Sequence, residues 1–429
     1  MKKIDVLIVF EHRNRELESA VRISSILKQN GFTCEIVQIG WNEAIAKYKY
    51  SPKTLVVPWC YDDRDLSGWL EYKAQNHRLN IVNLHCEQLT FSDAIDFTLP
   101  QGIAKKTYHC SWGDYFTKNL LESGVDLKTI IQTGSPRLDF FKPFFEKAEK
   151  SDYAGMYNLK SRSKWVLLVG NFSQIYLSKA RIEELEKRGF NNMQQSVDLA
   201  TKSFCIIVEW IRKILNQNYD IEYIYRPHPS EKINESLNEL ENSYENFHII
   251  KDEEIRKWYQ VCDVAFVWCS TSSVEAAYSG IPVFSLRPIE FPDNKKIELV
   301  ELLDQIKNYE DLRNLIENIL KGERIESNNN FLQRISYYYG DNEIDACKKT
   351  AGSIEKLMDN MEYAFKCKNR RSLVIYIKLI NAYIKKVLMR FGLLNKIKKW
   401  EILNNDIVSK KELNDLENKF LKSFFNEEE

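Results

Sequence analysis

The chain has no surplus of either charge: lysine plus arginine and aspartate plus glutamate number 61 each. It therefore lacks the basic field that general nucleic-acid binding requires, and no nucleic-acid partner is expected. Its nine cysteines, at 34, 60, 86, 110, 205, 262, 269, 347 and 367, form no Cys-x-x-Cys pair and no zinc-type spacing. They lie mostly in apolar runs, as reduced core thiols do, so a cytoplasmic protein is expected. No uncharged run reaches the ~18 residues of a membrane span. The opening MKKIDVLIVFEHR is interrupted by Asp5, Glu11, His12 and Arg13, too soon for a signal-peptide core. A Walker A motif, a GxGxxG after the first apolar run, an internal repeat and a low-complexity tract are likewise missing.

What is there is the pattern of a two-domain α/β protein. At 429 residues, with 44% hydrophobic and 28% charged residues, the chain exceeds one ordinary domain of about 100 to 200 residues. Apolar runs in the first part, IDVLIVF, TCEIVQI, TLVVPW, NIVNLHC, KTYHCSW and TIIQTG, alternate with helical patterns such as ELESAVRISSILKQNG, which ends at Gly31. Runs that are continuous rather than alternating, and are separated by helices, indicate a parallel sheet covered on both faces. A second series begins at KWVLLVGNF (164–172) and continues through IEYIYRPHP, NFHII, DVAFVWCST and IPVFSL. Helices are expected over 196–217, 253–262, 272–279 and 297–320. The expected division is a first Rossmann-like domain at 1–145, a polar linker at 146–163, a second Rossmann-like domain at 164–345 and a helical extension at 346–429. In such open sheets ligands bind beyond the carboxyl ends of the strands, which for two facing domains is the cleft between them.

Two strand ends in the second series carry unusual chemistry. One is Arg226-Pro227-His228-Pro229, where the prolines hold an arginine and a histidine in a stiff extended loop. The other is CSTSSVEAAYSGIP, in which Ser270, Thr271, Ser272 and Ser273 crowd a strand-to-helix junction ahead of Glu275. Hydroxyls and unpaired N–H groups at a helix start suit a phosphate. Each feature alone also has an ordinary explanation, a helix cap for the hydroxyls and a turn cap for the histidine. Their occurrence at two strand ends of one doubly wound unit is what favours a binding site.

The order RPHP, strand, STSSVEAAYSGIP resembles the nucleotide-binding half of GT-B glycosyltransferases of bacterial surface polysaccharide biosynthesis. It is similar to the HP and S/T motifs of CMP-sugar users, the sialyl-type and Kdo transferases, and to the CDP-glycerol glycerophosphotransferases. EHRNRELES, NLHCEQ and TGSPRLDFF in the first half agree with that resemblance. It implies a GT-B fold and a glycosyltransferase moving Kdo or a nonulosonic acid from a CMP donor to a glycan or lipid-linked glycan acceptor. The nucleotide sugar is then a substrate, and no cofactor or metal is expected. It further implies that His228, Ser272 and Ser273 hold the phosphates with Arg226, Ser270 and Thr271 beside them. Glu275 is then a candidate for a ribose hydroxyl, and Asn171 and Phe172 for a loop covering the nucleotide.

The acidic D/E-D/E-G motif common in CMP-sialyltransferases has no match here. Its nearest counterpart is His85-Cys86-Glu87-Gln88, with Glu87 as candidate base, His85 as its competitor, and a strand-end cap as the plain alternative. Arg13 is a candidate for an anionic acceptor or the donor carboxylate, or an ordinary surface arginine. In GSPRLD, Arg137 and Asp139 are expected to interact structurally. Asp63-Arg64-Asp65 satisfies a metal-binding DxD pattern, yet its place before a helix makes capping the simpler reading. Donors with the same fold but a different group stay open, namely CDP-glycerol or a UDP-sugar, as do a sugar-nucleotide 2-epimerase and a non-catalytic scaffold.

Residues 361–400 carry eleven lysines and arginines and one acid, Glu362. Leu373, Ile377, Ile380, Ile384, Val387, Phe391 and Leu394 recur at helical spacing, while Lys378, Lys385, Arg390, Lys396 and Lys399 fall largely elsewhere. The segment 366–400 is expected to lie on an anionic membrane surface, the inner face of the plasma membrane, with packing on protein through the same seam as the alternative.

Overall fold

The structure is a computed structural model that describes residues 1–40, 42–72, 75–142, 145, 147–187, 190–325, 329–341, 343–367, 373–390 and 407–426. The chain divides into two compact units. The first comprises Met1–Gln88, Phe97–Phe144 and Ser336–Glu429; the second comprises Leu89–Asp96 and Phe145–Ile335.

The first unit is built on strands β1 (Lys2–Phe10), β2 (Cys34–Gln38), β3 (Tyr50–Val57), β4 (Arg78–Asn83), β5 (Tyr108–Ser111) and β6 (Ile130–Gln132), in the order β2-β1-β3-β4-β5-β6. All these pairings are parallel, with Val6 opposite Cys34 and Thr54. Burial of Val6 through Phe10 without a break explains why β1 shows no alternation. Leu7, Val9, Leu55, Val57, Leu79 and Ile81 form the heart of this unit's core.

The second unit carries β7 (Lys164–Val169), β8 (Ile221–Arg226), β9 (Phe247–Ile249), β10 (Val264–Val267), β11 (Val283–Leu286) and β12 (Gln305–Ile306), ordered β12-β11-β10-β7-β8-β9. From β7 the chain builds outward through β8 and β9, then crosses to β10 on the other side. The strand order therefore reverses between β7 and β10, and that is the crevice where open α/β sheets bind ligands. The helix Met193–Leu215 covers this unit, burying Ala200, Phe204, Ile207, Val208, Ile211 and Ile214 on one face.

Two expectations are revised by packing that local sequence does not display. The segment 146–163 is not a free linker: helix Lys150–Tyr157 belongs to the second unit, Tyr153 and Tyr157 pack on Trp258 at 4.9 and 5.1 Å, and Lys150 Nζ reaches Asp263 Oδ2 at 2.9 Å. The helix expected over 297–320 is interrupted by the short strand β12 and resumes as Tyr309–Leu320, capped by Asn308 on the Asp311 N–H. The C-terminal part groups with the first unit, from Ser336 onward. Helix Ala346–Met358 returns to the first unit, held there by Arg22, whose guanidinium meets Asp139 at 3.1 Å and Asp345 at 2.7 Å. Asp139 also accepts the N–H groups of Ala346 and Cys347 at 2.9 and 2.7 Å, so its partners lie on distant helices rather than within GSPRLD alone. Strand β13 (Phe365–Lys366) then adds antiparallel to β4.

Candidate functional site

The second unit's site is assembled by three loops that leave adjacent strands β10, β7 and β8. The central one, Gly170-Asn171-Phe172, follows β7 and is tied on both sides. Asn171 Nδ2 donates to the carbonyl of Cys269 in the loop after β10. On the other side, the Phe172 N–H donates to Glu231 Oε2 at 3.0 Å. Glu231 belongs to the loop after β8, where the same oxygen faces the His228 N–H at 3.3 Å and Oε1 accepts the Tyr225 hydroxyl at 2.5 Å. Burial pushes the Glu231 carboxyl up, while these donors work against that shift. Gly170 is required by the same packing: a Cβ there would lie 2.6 Å from the Tyr225 hydroxyl and 2.8 Å from Glu231 Oε2.

His228 is exposed at the tip of this loop. Its Nδ1 lies 2.7 Å from the Ser230 hydroxyl and accepts the Ser230 N–H at 3.2 Å. An Nδ1 that accepts from a backbone N–H leaves the proton of the neutral ring on Nε2, so the histidine is set up as an Nε2–H donor. Arg226, in contrast, is buried and its guanidinium is bound to the carbonyls of Asp252 and Glu253, the latter in left-handed backbone at φ 65°. The expected phosphate contact is therefore replaced by a structural task, fixing the loop after β9. Burial pulls this guanidinium below its usual range, and the nearby tyrosines and Glu254 oppose that.

In the loop after β10, the hydroxyls of Ser270 and Ser272 lie 2.8 Å apart, and Ser272 is 2.8 Å from the Tyr259 hydroxyl. Thr271 is half-buried beside them. Ser273 Oγ is buried without a hydrogen-bond partner among the described residues, a condition that native structures seldom leave unexplained. The helix that follows, Ser273–Tyr278, has only six residues, so its dipole is weaker than the sequence suggests. Glu275 lies buried in its first turn, which leaves little of it for a ribose. Phe172 does not stand over a nucleotide: it is 3% exposed, stacked on Trp268 at 4.8 Å and edge-on to Phe204 at 5.1 Å.

The first unit places its candidates differently. Glu87 projects from the end of β4 with a 60% exposed side chain and is ion-paired with Arg15. Arg15 also holds Glu16 at 2.9 Å; burial lowers its affinity for a proton, but the two carboxylates raise it further. His85, the competing base, is fully buried, with Nε2 at 2.9 Å from His109 Nδ1 and its ring edge on Phe116. A ring so enclosed cannot touch an acceptor, which corrects its candidacy. It also sits in left-handed backbone at φ 48°. Arg13 pairs with Glu412 at 2.5 Å, a partner from helix Lys410–Asn426. In the DxD stretch, Asp62 caps its helix on the Arg64 and Asp65 N–H groups, Asp63 accepts the Ile103 N–H at 2.6 Å and Asp65 the Tyr61 N–H at 2.9 Å.

Sequence reasoning passed over Glu231, although it stands three residues after His228. The available signal was a carboxylate directly after two prolines and a serine, in a loop otherwise devoted to a cation and an imidazole.

Known structures share this architecture. MnaA of S. aureus in a co-structure with UDP is 14% identical, with 84% of this chain and 97% of that one covered and a TM-score of 0.51. UDP-GlcNAc 2-epimerase from Methanocaldococcus jannaschii is 15% identical over 83% of this chain and 100% of that one, at 0.51. The wall teichoic acid polymerase TagF with CDPG is 12% identical over 83% and 89%, also at 0.51. The fold is of the GT-B type. No family model matches the sequence, and neither does any curated protein sequence.

Proposed function

We propose that this chain is a GT-B glycosyltransferase that takes a nucleotide-activated sugar, with the nucleotide phosphate bound by the second unit at the β7/β10 switch point. The observation that carries the reading is the tie of three strand-end loops through Asn171 and Phe172. It gives the crevice a fixed wall, with His228 at one side and the Ser270–Ser273 hydroxyls at the other. His228 Nε2–H donates a hydrogen bond to the phosphate, and the half-buried Ser270, Thr271 and Ser272 supply the hydroxyls on the other side, the fully buried Ser273 standing behind them. As the acceptor oxygen bonds to the anomeric carbon, the bond from that carbon to the phosphate oxygen breaks. The nucleotide leaves with the electron pair, the imidazole N–H stabilises the charge that develops, and the acceptor proton passes to a carboxylate, for which Glu87 is the proposed residue.

The finer reading is a CMP-linked Kdo or nonulosonic acid donor and a surface-glycan acceptor. The RPHP and STSS motifs support it by resemblance, and a cytidine nucleotide also accompanies TagF among the similar folds. Because MnaA and the epimerase of the same fold carry UDP names, base identity is the deciding test. Thermal melts with CMP, CDP and UDP should show stabilisation by cytidine nucleotides and little by UDP. Stabilisation by UDP alone would move the assignment to a UDP-sugar enzyme, and no response to any nucleotide would remove the enzymatic reading.

A further inference from the structure

Helix Leu373–Arg390 leaves a row of large apolar side chains uncovered: Tyr376, Ile377, Ile380, Tyr383, Ile384 and Val387 are 44 to 57% exposed. Their spacing of three and four residues places all six on one face. Other helices of this fold bury such rows; the helix Met193–Leu215 does so in the second unit. The uncovered helix is held to its own unit, since it touches helix Glu43–Lys49. Before it, β13 is paired with Leu79 and Arg78 of β4; after it, the Val408 N–H donates to Gln38 Oε1 at 3.1 Å. The chain is thus held on the first unit before and after the helix, and the helix itself touches Glu43–Lys49, while the row at 376–387 is exposed.

Charge selects the occupant. Residues 366–390 include eight lysines and arginines and no aspartate or glutamate, in a chain whose charges balance overall. A second copy pairing through the same face would bring two such basic segments together, which is unfavourable. No described helix is long and apolar enough to cross a membrane. An apolar row on a purely basic helix fits a surface that is apolar below and anionic above. Part of the expected segment, 368–372 and 391–400 with Phe391, Leu394, Lys396 and Lys399, lies outside the described residues; the row at 376–387 carries the argument without it.

We propose that Leu373–Arg390 docks this protein on an anionic phospholipid surface, lying in the interface with Ile377, Ile380, Ile384 and Val387 inserted among the acyl chains. The inference is independent of the nucleotide reading. Full-length protein is floated with vesicles of pure phosphatidylcholine and with vesicles of phosphatidylcholine and phosphatidylglycerol in equal parts. The expected result is flotation with the anionic vesicles only, weakened by high salt. The double variant Ile380→Glu/Ile384→Glu should float at least about tenfold less while keeping the parent's thermal melt, because both side chains are exposed. Equal flotation of parent and variant, or none by the parent, would overturn the proposal. So would sedimentation showing the parent to be an oligomer and the variant a monomer, since the face would then belong to a second copy.

Discussion

The backbone N–H of Phe172 donates to Glu231 Oε2 at 3.0 Å, and through this bond the loop after β7 takes its position from the loop that carries His228. Glu231→Gln keeps the volume but presents an NH2 where two N–H groups and a hydroxyl converge. The loss of a buried acceptor should cost about 1–3 kcal/mol in urea unfolding and weaken nucleotide binding about tenfold. Weakened stability with unchanged nucleotide affinity would assign Glu231 to the fold alone.

His228 makes the complementary case, because its ring is exposed and little of the core depends on it. His228→Ala should lower turnover by about a hundredfold or more, the usual scale for losing a positioned proton donor. Its melting curve should stay close to the parent's, since surface substitutions rarely exceed about 0.5 kcal/mol. Activity within a factor of two of the parent would take the imidazole out of the mechanism.

Much of this architecture could be read from sequence, because a covered parallel strand shows itself as a continuous apolar run; β1, β3, β7, β8 and β10 all fall on runs chosen that way. The chemistry crowded after β8 and β10 was legible as sequence, while the switch between β7 and β10 depends on strand order, which the sequence does not display. What stayed hidden depends on partners far along the chain. Arg226 looks like a phosphate ligand until the carbonyls of Asp252 and Glu253 close on it. Phe172 looks like a lid until Trp268 and Phe204 enclose it. The uncovered row on Leu373–Arg390 was visible as a periodicity, but periodicity cannot tell an open face from a buried one.

The buried His85–His109 pair gives the first unit an acid-sensitive element. Burial holds His85 well below 6.5, with the charge on His109 adding to the effect, and burial brings His109 down to about 4. Because both folded values are depressed, the stabilisation is complete above the ordinary histidine value of about 6.5. It is lost as the pH falls from there toward 4, where the unfolded chain binds protons that the folded chain refuses. The slope should reach about 1.4 kcal/mol per pH unit for each histidine. Urea unfolding at pH 7.5 and pH 5 measures it, and His109→Asn should flatten the dependence. An equal acid loss in parent and variant would place the sensitivity elsewhere.

Arg22 and Asp139 decide whether the returning C-terminal part stays on the first unit. Arg22 is 1% exposed and Asp139 2%, and the guanidinium is shared with Asp345. Asp139 has a second duty, accepting the N–H groups of Ala346 and Cys347 at the start of helix Ala346–Met358. Asp139→Ala therefore removes one of the two carboxylates on the buried Arg22, leaving Asp345, and also the acceptor of two N–H groups at a helix start, and should cost about 3–5 kcal/mol. Arg22→Met removes the cation but leaves Asp139 bound to the two N–H groups, so its cost should be smaller. If the ion pair is the dominant coupling, Arg22→Met/Asp139→Ala should be less destabilised than the sum of the single variants, because the Arg22–Asp139 attraction is then lost once and not twice. Chemical denaturation of the four proteins measures this, and strictly additive costs would show that Asp139 acts through the helix cap and not through Arg22.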